Sequence, residues 1–162
     1  MKKIMSNIYI ALGSNLEEPS KQILNAIELI GMIQSLSVTH ISSLYKTKPI
    51  GKLDQPDFIN AVIKLEGDIS PEKLHAELQD IETQAGRIRF ELNEPRTLDL
   101  DILLIDNIIM QTKKLTIPHP RMHLRQFVIV PLFEINQELN IPGIGSIKEI
   151  LKSLPDQGVV KA

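Results

Sequence analysis

The sequence predicts a single α/β domain with a mainly antiparallel sheet and helices packed against it. Three observations carry this. The chain has 162 residues, enough for one domain with a sizeable core. Apolar residues make up 43% and charged residues 23%, an ordinary globular balance. Segments with a side-chain period of two then alternate with two amphipathic segments of period near 3.6.

Ile8 to Leu12 is a short apolar run ended by Gly13, Ser14 and Asn15, which predicts a buried strand and a turn. From Ser20 to about Ile33, Ile23, Ile27 and Ile30 recur at helical spacing, with Leu24 widening the stripe. Val38 to Lys46 is β-branched and polar in imperfect alternation, a strand with an irregularity. Thr47 to Asp57 carries Pro49, Gly51, Asp54 and Pro56 and predicts a long loop. The next strand alternates cleanly: Ile59, Ala61, Ile63 and Leu65 on one face, Phe58, Asn60, Val62 and Lys64 on the other. Glu66, Gly67 and Asp68 turn the chain. Ser70 suits a helix N-cap and Pro71 the first helical position; Leu74, Leu78, Ile81 and Ala85 form the stripe, and Gly86 marks the end.

A polar loop, Arg87 to Thr97, leads into a strand from Leu98 to Ile105. Asp106 and Asn107 make a turn, Ile108 to Met110 is its expected hairpin partner, and Leu115 to Ile117 another short strand. Phe127 to Ile135, interrupted by Pro131, fits neither period; Ser146 to Leu154 predicts a short helix. The order strand, helix, strand, strand, helix, strand suggests a ferredoxin-like arrangement with helices on one face.

Composition excludes several functions. The formal net charge is −2, so bulk attraction to nucleic acid or an anionic membrane is not expected. Cysteine is absent, which rules out disulfides and thiolate metal sites. The apolar runs are too short to span a bilayer, and no secretory h-region follows Met1. A cytoplasmic protein is the expectation.

Chemistry concentrates in Leu98-Asp99-Leu100-Asp101-Ile102. Asp99 and Asp101 share one face of a strand, while Leu98, Leu100, Ile102 and Leu104 take the core face. Two neighbouring carboxylates repel each other and are tolerated when a cation lies between them. Magnesium suits such a pair, because it takes one or two carboxylates plus phosphate oxygens and water. Alternating Asp and Leu also occurs on merely solvated strands, but Arg96 just before the pair adds a phosphate-binding cation. Arg87 and Arg89 put three arginines on one loop, which favours bidentate phosphate recognition over a plain solvated surface. His119, between Pro118 and Pro120 and close to Arg121 and Arg125, is either a structural histidine or a phosphate-binding one. Gln79 and Glu82 are neighbours on one helix face, able to bond a nucleotide or to be ordinary surface.

Four segments together resemble one family: Ala11-Leu12-Gly13-Ser14-Asn15-Leu16, Asp54-Gln55-Pro56-Asp57-Phe58-Ile59-Asn60-Ala61, Pro95-Arg96-Thr97-Leu98-Asp99-Leu100-Asp101-Ile102-Leu103, and Leu115-Thr116-Ile117-Pro118-His119-Pro120-Arg121. By these the chain resembles the 6-hydroxymethyl-7,8-dihydropterin pyrophosphokinases of folate biosynthesis, from about Ile8 to about Leu154. The resemblance implies a ferredoxin-like fold over one domain, residues 1–162. It also implies an ATP-dependent diphosphotransferase, in which the pterin hydroxymethyl oxygen attacks the β-phosphorus of ATP and AMP leaves. Two Mg²⁺ ions on Asp99 and Asp101 would be expected, with Arg96 and Arg87 joining those aspartates in catalysis. ATP would be held by Gln79, Glu82, Arg87, Arg89, Arg96, Ile102, Lys114, Thr116, His119 and Arg125. Pterin would be held by Thr47, Lys48, Ile50, Phe58, Asn60 and Phe127. The expected partners are these small molecules alone, with no nucleic acid and no membrane, and the expected state is a monomer.

Some positions depart from the family pattern: Lys48 stands for a frequent Pro, Phe58 for a Tyr, and Lys114 for an Arg. Phe90 to Glu94 is shorter than in some relatives and lacks their Arg–Trp pair. Two other readings are weighed. One is a different Mg-ATP transferase on the same Asp-x-Asp site. The other is a ferredoxin-like RNA-binding module, disfavoured by 4% aromatics and the negative charge.

Overall fold

A computed structural model describes residues 5–15, 18–48, 56–86 and 98–162. Its centre is a six-stranded antiparallel sheet. Strand β1 (Ser6–Ser14) lies between β4 (Phe58–Gly67) and β5 (Asp99–Ile105). On the far side of β4 lie β2 (Leu36–Ile41) and β3 (Tyr45–Thr47), and β10 (Val160–Lys161) adds the outer edge beside β3. Two small ribbons sit apart, β6 (Met110–Gln111) with β7 (Thr116–Ile117) and β8 (Asn140–Ile141) with β9 (Gly145–Ser146).

The expected first helix and second helix form as α1 (Pro19–Gly31) and α2 (Pro71–Gly86). Ser70 caps α2 as expected, its hydroxyl accepting the Lys73 N–H at 3.2 Å, one of the donors a helix N-terminus leaves unpaired. Leu74, Leu78 and Ile81 of α2 and Ile23, Ala26, Ile27 and Ile30 of α1 are buried. Leu24 does not widen the stripe of α1; it is 53% exposed, and Ala26 takes the core place. Both helices cover the face of the sheet that presents Ile8, Ile10, Leu12, Ile59, Ala61, Ile63, Leu65, Leu100 and Ile102.

Helices are not confined to that face. The apolar run that fits neither period is α3 (Gln126–Ile135), and with α4 (Ile147–Ser153) it covers the other side. Tyr9, Val62, Leu103 and Leu104 meet Val128, Ile129, Leu132, Ile147 and Ile150 there. A helix apolar on nearly every side has no polar stripe, so periodicity could not reveal it. Pro131 lies inside α3 and is itself buried; it denies the carbonyl four residues back its helical donor, a local loss that burial of the whole helix outweighs.

Three further expectations change. Gly13 and Ser14 belong to β1 and not to a turn. The irregular strand of residues 38–46 is two strands with a break at 42–44, and a register shift falls between Val38 and His40. Ile108 to Met110 does not pair with β5; Met110 pairs with Ile117 instead.

One carboxylate ties α3 to the sheet. Glu134 accepts the Ser43 N–H at 2.7 Å, the Ser43 hydroxyl at 2.6 Å and the Tyr45 hydroxyl at 3.0 Å, with Lys161 of β10 at 3.9 Å. Burial pushes the Glu134 pKa up, but the Ser43 and Tyr45 hydrogen bonds and Lys161 outweigh it and leave the carboxyl below its ordinary value. The Tyr45 phenol is pushed up to about 12, first by burial and then by Glu134. Among the described residues no helix is long and apolar enough to cross a membrane.

Glu134→Ala is expected to cost about 1.5–3 kcal/mol of unfolding free energy at neutral pH, the range for hydrogen bonds to a charged group. A depressed carboxyl pKa stabilises the fold above the unfolded value and loses that contribution as pH falls through the folded value. Urea titrations of both proteins should therefore converge as pH falls through the carboxylate range.

Candidate active site

The site begins with the register of three strands. Gly13 of β1 pairs with Asn60 of β4 on one side and with Asp99 of β5 on the other. Ala11, the next residue on that face, pairs with Val62 and with Asp101. Directly opposed residues share a face of the sheet, so Asn60, Gly13 and Asp99 form one row, with Ala11 and Asp101 in the next. Small side chains at Ala11 and Gly13 keep the middle of this surface low. Larger groups stand around it, leaving a cavity of about 460 Å³. Thr47, Lys48, Phe58, Asn60, Asp99, Asp101, His119, Arg125 and Phe127 line it, with Leu124, Gln157 and Val159.

Asn60 is held rigidly. It is 6% exposed and its Nδ2 donates to the Thr47 hydroxyl at 3.1 Å across the β3–β4 pair. A methyl group at position 13 would come to 3.0 Å of Asn60 Oδ1. Glycine is needed there for close approach, not for a positive φ.

The aspartates sit on the sheet edge, and both line the cavity. A bulge shapes this edge: Tyr9 pairs with Leu104 but Ile10 with Ile102, leaving Leu103 extra. The extra residue turns Leu104 to the α3 side with Leu103, so Leu104 does not share the face of Leu100 and Ile102 as its spacing predicts. It also directs the Leu103 carbonyl to the His119 N–H at 2.9 Å. That bond brings His119 beside Asp101.

Burial lowers the His119 pKa from its ordinary 6.5, Asp101 pushes it back up, and Arg125 and Arg121 push it down, with a net fall. The imidazole is therefore neutral at neutral pH. Its Nδ1 accepts the Arg121 N–H at 3.1 Å, so the proton sits on Nε2, which can donate. The Arg125 guanidinium lies 5.7 Å from the centre of the Phe127 ring, joining a cation and an aromatic plane on one wall.

Other sequence-predicted residues are placed elsewhere. Glu82 on α2 accepts the Leu100 N–H at 2.9 Å, tying the helix to the free edge of β5. The Ile102 side chain is in the core at 5% exposure, leaving only its backbone for a ligand. Gln79, Lys114 and Thr116 do not line the cavity. Ile50, Arg87, Arg89 and Arg96 lie outside the described residues. Sequence reasoning missed Ala11, Leu124, Gln157 and Val159. Ala11 and Gly13 were findable, as two small residues on one face of a strand; Gln157 and Val159 carried no local signal.

Two neighbouring carboxylates suit a cation that completes its shell with water and phosphate. No group of three or more candidate ligands occurs among the described residues. Paired carboxylates, a neutral histidine, an arginine and aromatic walls on an α/β sheet define a phosphoryl-group transferase site.

Comparisons with known proteins agree. The model of the 7,8-dihydro-6-hydroxymethylpterin-pyrophosphokinase (HPPK) family matches residues 9–137. A Haemophilus influenzae 2-amino-4-hydroxy-6-hydroxymethyldihydropteridine pyrophosphokinase is 49% identical over 157 residues, 97% of this chain and 98% of that one. A Pseudomonas aeruginosa protein of the same name is 37% identical, covering 96% of each. The folic acid synthesis protein of Schizosaccharomyces pombe is 38% identical over 93% of this chain but only 21% of its own length. Among solved structures, a wild-type Plasmodium falciparum HPPK-DHPS with pterin and p-hydroxybenzoate superposes with a TM-score of 0.70 at 14% identity. That match covers 93% of this chain and 43% of the larger one, and it shows the ferredoxin-like fold. The chain belongs to the 7,8-dihydro-6-hydroxymethylpterin-pyrophosphokinase family. It is accordingly an ATP-dependent diphosphotransferase of folate biosynthesis.

Gly13→Ala is expected to displace Asn60 and, if Asn60 meets the pterin, to weaken pterin binding, with an overpacking cost to the fold of about 1–3 kcal/mol. Calorimetric titration with 6-hydroxymethyl-7,8-dihydropterin, beside a nucleotide titration that stays unchanged, checks this.

Proposed function

We propose that the chain moves the pyrophosphoryl group of ATP to the hydroxymethyl oxygen of 6-hydroxymethyl-7,8-dihydropterin in the cavity above the Asn60–Gly13–Asp99 row. The carrying observation is that a hydrogen-bonding amide, two aromatic rings and two carboxylates line one cavity. Asn60, braced by Thr47, meets the polar edge of the pterin with its amide. Phe58 and Phe127 take the ring faces. Thr47, Lys48 and Ile50 contribute main-chain bonds along the same edge.

ATP takes the side of Asp99, Asp101, His119 and Arg125. Transfer of two phosphoryl groups together requires attack at the β-phosphorus. As the pterin oxygen bonds to that phosphorus, the bond to the oxygen bridging the α-phosphate breaks, AMP leaves with the electron pair, and the hydroxyl proton is released to solvent. Asp99 and Asp101 would hold two Mg²⁺ ions. Bound magnesium supplies neutralisation of the triphosphate and a lower pKa for the attacking hydroxyl. His119 donates from Nε2 to a phosphate oxygen; Arg125 adds a fixed cation. Arg96 acts on the transferring group, and Arg87 and Arg89 on the polyphosphate. Gln79, Glu82, Ile102, Lys114 and Thr116 complete the nucleotide set, Ile102 through its backbone. On composition, cysteine-free and slightly acidic, we further propose one cytoplasmic domain over residues 1–162 without nucleic-acid or membrane partners, and, from the resemblance alone, a monomer.

Asp99→Ala and Asp101→Ala should each abolish turnover while the far-UV spectrum and Tm hold, because each removes a metal ligand and a like-charge repulsion together. Arg96→Ala should slow the chemical step by a factor on the order of 10²–10³. Product analysis decides the reaction: AMP with pterin diphosphate is expected, and ADP as the nucleotide product rejects the assignment.

A further inference from the structure

The wall of the cavity formed by residues 157–159 has no part in the chemistry above. It is nonetheless bound tightly to the residues that do. Gln157 Oε1 accepts the Gln126 N–H at 2.9 Å, and Gln157 Nε2 donates to the Leu124 carbonyl at 3.0 Å. Gln126 Oε1 returns the bond by accepting the Gln157 N–H at 2.7 Å.

These partners bracket one residue. Leu124 and Gln126 are the neighbours of Arg125, which has extended backbone, φ −115° and ψ 110°, as N-cap of α3 and gives that helix no side-chain cap. The first N–H groups of a helix lack partners within it. Gln157 supplies one of those missing caps from 31 residues away in sequence. Beyond Gln157 the chain is anchored again: Gly158, at φ 80°, donates its N–H to Asp156 Oδ1 at 2.8 Å, β10 pairs with β3, and Ala162 N–H meets the Leu44 carbonyl at 2.9 Å. The segment thus runs from the start of α3 to the strand that ends at Thr47.

We propose that Gln157 is a positioning residue whose single amide, bridging Leu124 and Gln126, sets Arg125 and Phe127 relative to each other and so couples the nucleotide side of the cavity to the pterin side. The coupling is geometric. Arg125 and Phe127 flank Gln126, and their side chains already meet as cation and ring. Release of the amide frees the backbone on both sides of Arg125, and both substrates lose a wall together. This rests on the reading that Arg125 serves ATP and Phe127 serves pterin.

The test is calorimetric titration of the full-length Gln157→Ala protein with 6-hydroxymethyl-7,8-dihydropterin and, separately, with α,β-methylene-ATP and magnesium. Both Kd values should rise on the order of three- to tenfold, as loss of two exposed hydrogen bonds allows. Gln126→Ala removes only the return bond and should raise both less. Combining Gln157→Ala with Phe127→Ala should add less to the pterin Kd than the two changes separately. Unchanged Kd values for both ligands in Gln157→Ala would overturn the proposal. So would equal losses in Gln126→Ala and Gln157→Ala, which would mark a general loosening of the segment. The single variants Arg125→Ala and Phe127→Ala separate the two levels. If they leave nucleotide and pterin binding unchanged, the underlying site assignment fails; if they weaken it while Gln157→Ala does not, only the positioning role fails.

Discussion

The register that sets Asn60, Gly13 and Asp99 side by side across β4, β1 and β5 is the constraint on which the rest of the structure depends. A strand has a side-chain period of two, so a slip of one residue would turn the aspartates into the α1–α2 core and Leu100 into the cavity. The buried residues on the opposite face, Leu12, Ala61 and Leu100 among them, hold the register because any slip would expose them. Packing on one side of the sheet therefore specifies the site on the other.

The same sheet meets helices on both faces, yet the cavity remains open. Away from the site, Tyr9, Val62 and Leu104 fill the space under α3 and α4. Toward Asp99 that side of β1 narrows to Ala11 and then Gly13. Aromatic and polar groups from β3, β4, the 118–125 segment and α3 rise around this depression. The cavity is thus a place where the second core layer stops.

Edge strand β5 would otherwise present unpaired backbone groups, a liability in any sheet. Here they are used. The Leu100 N–H is taken by Glu82 and the Leu103 carbonyl by His119. Each bond joins a distant segment to the strand that carries the aspartates, so covering the edge and assembling the site are one act. The bulge at Leu103 belongs to the same solution, since it provides the carbonyl that receives His119.

By itself the sequence determined the local elements whose signals are local. These include β4 from its alternation, α2 from Ser70, Pro71 and its stripe, and the shared face of Asp99 and Asp101. It also carried the residue string by which the family is legible. Only the tertiary structure decided that both faces of the sheet are covered, since both faces are apolar in much of β1 and β5. It showed that the run around Pro131 is a helix, because a helix apolar on nearly every side lacks the polar stripe that periodicity needs. It moved Glu82 to a backbone edge and brought Gln157 to the start of α3, contacts made across 18 and 31 residues. Such pairings arise from chain folding in three dimensions, and no spacing along one dimension encodes them.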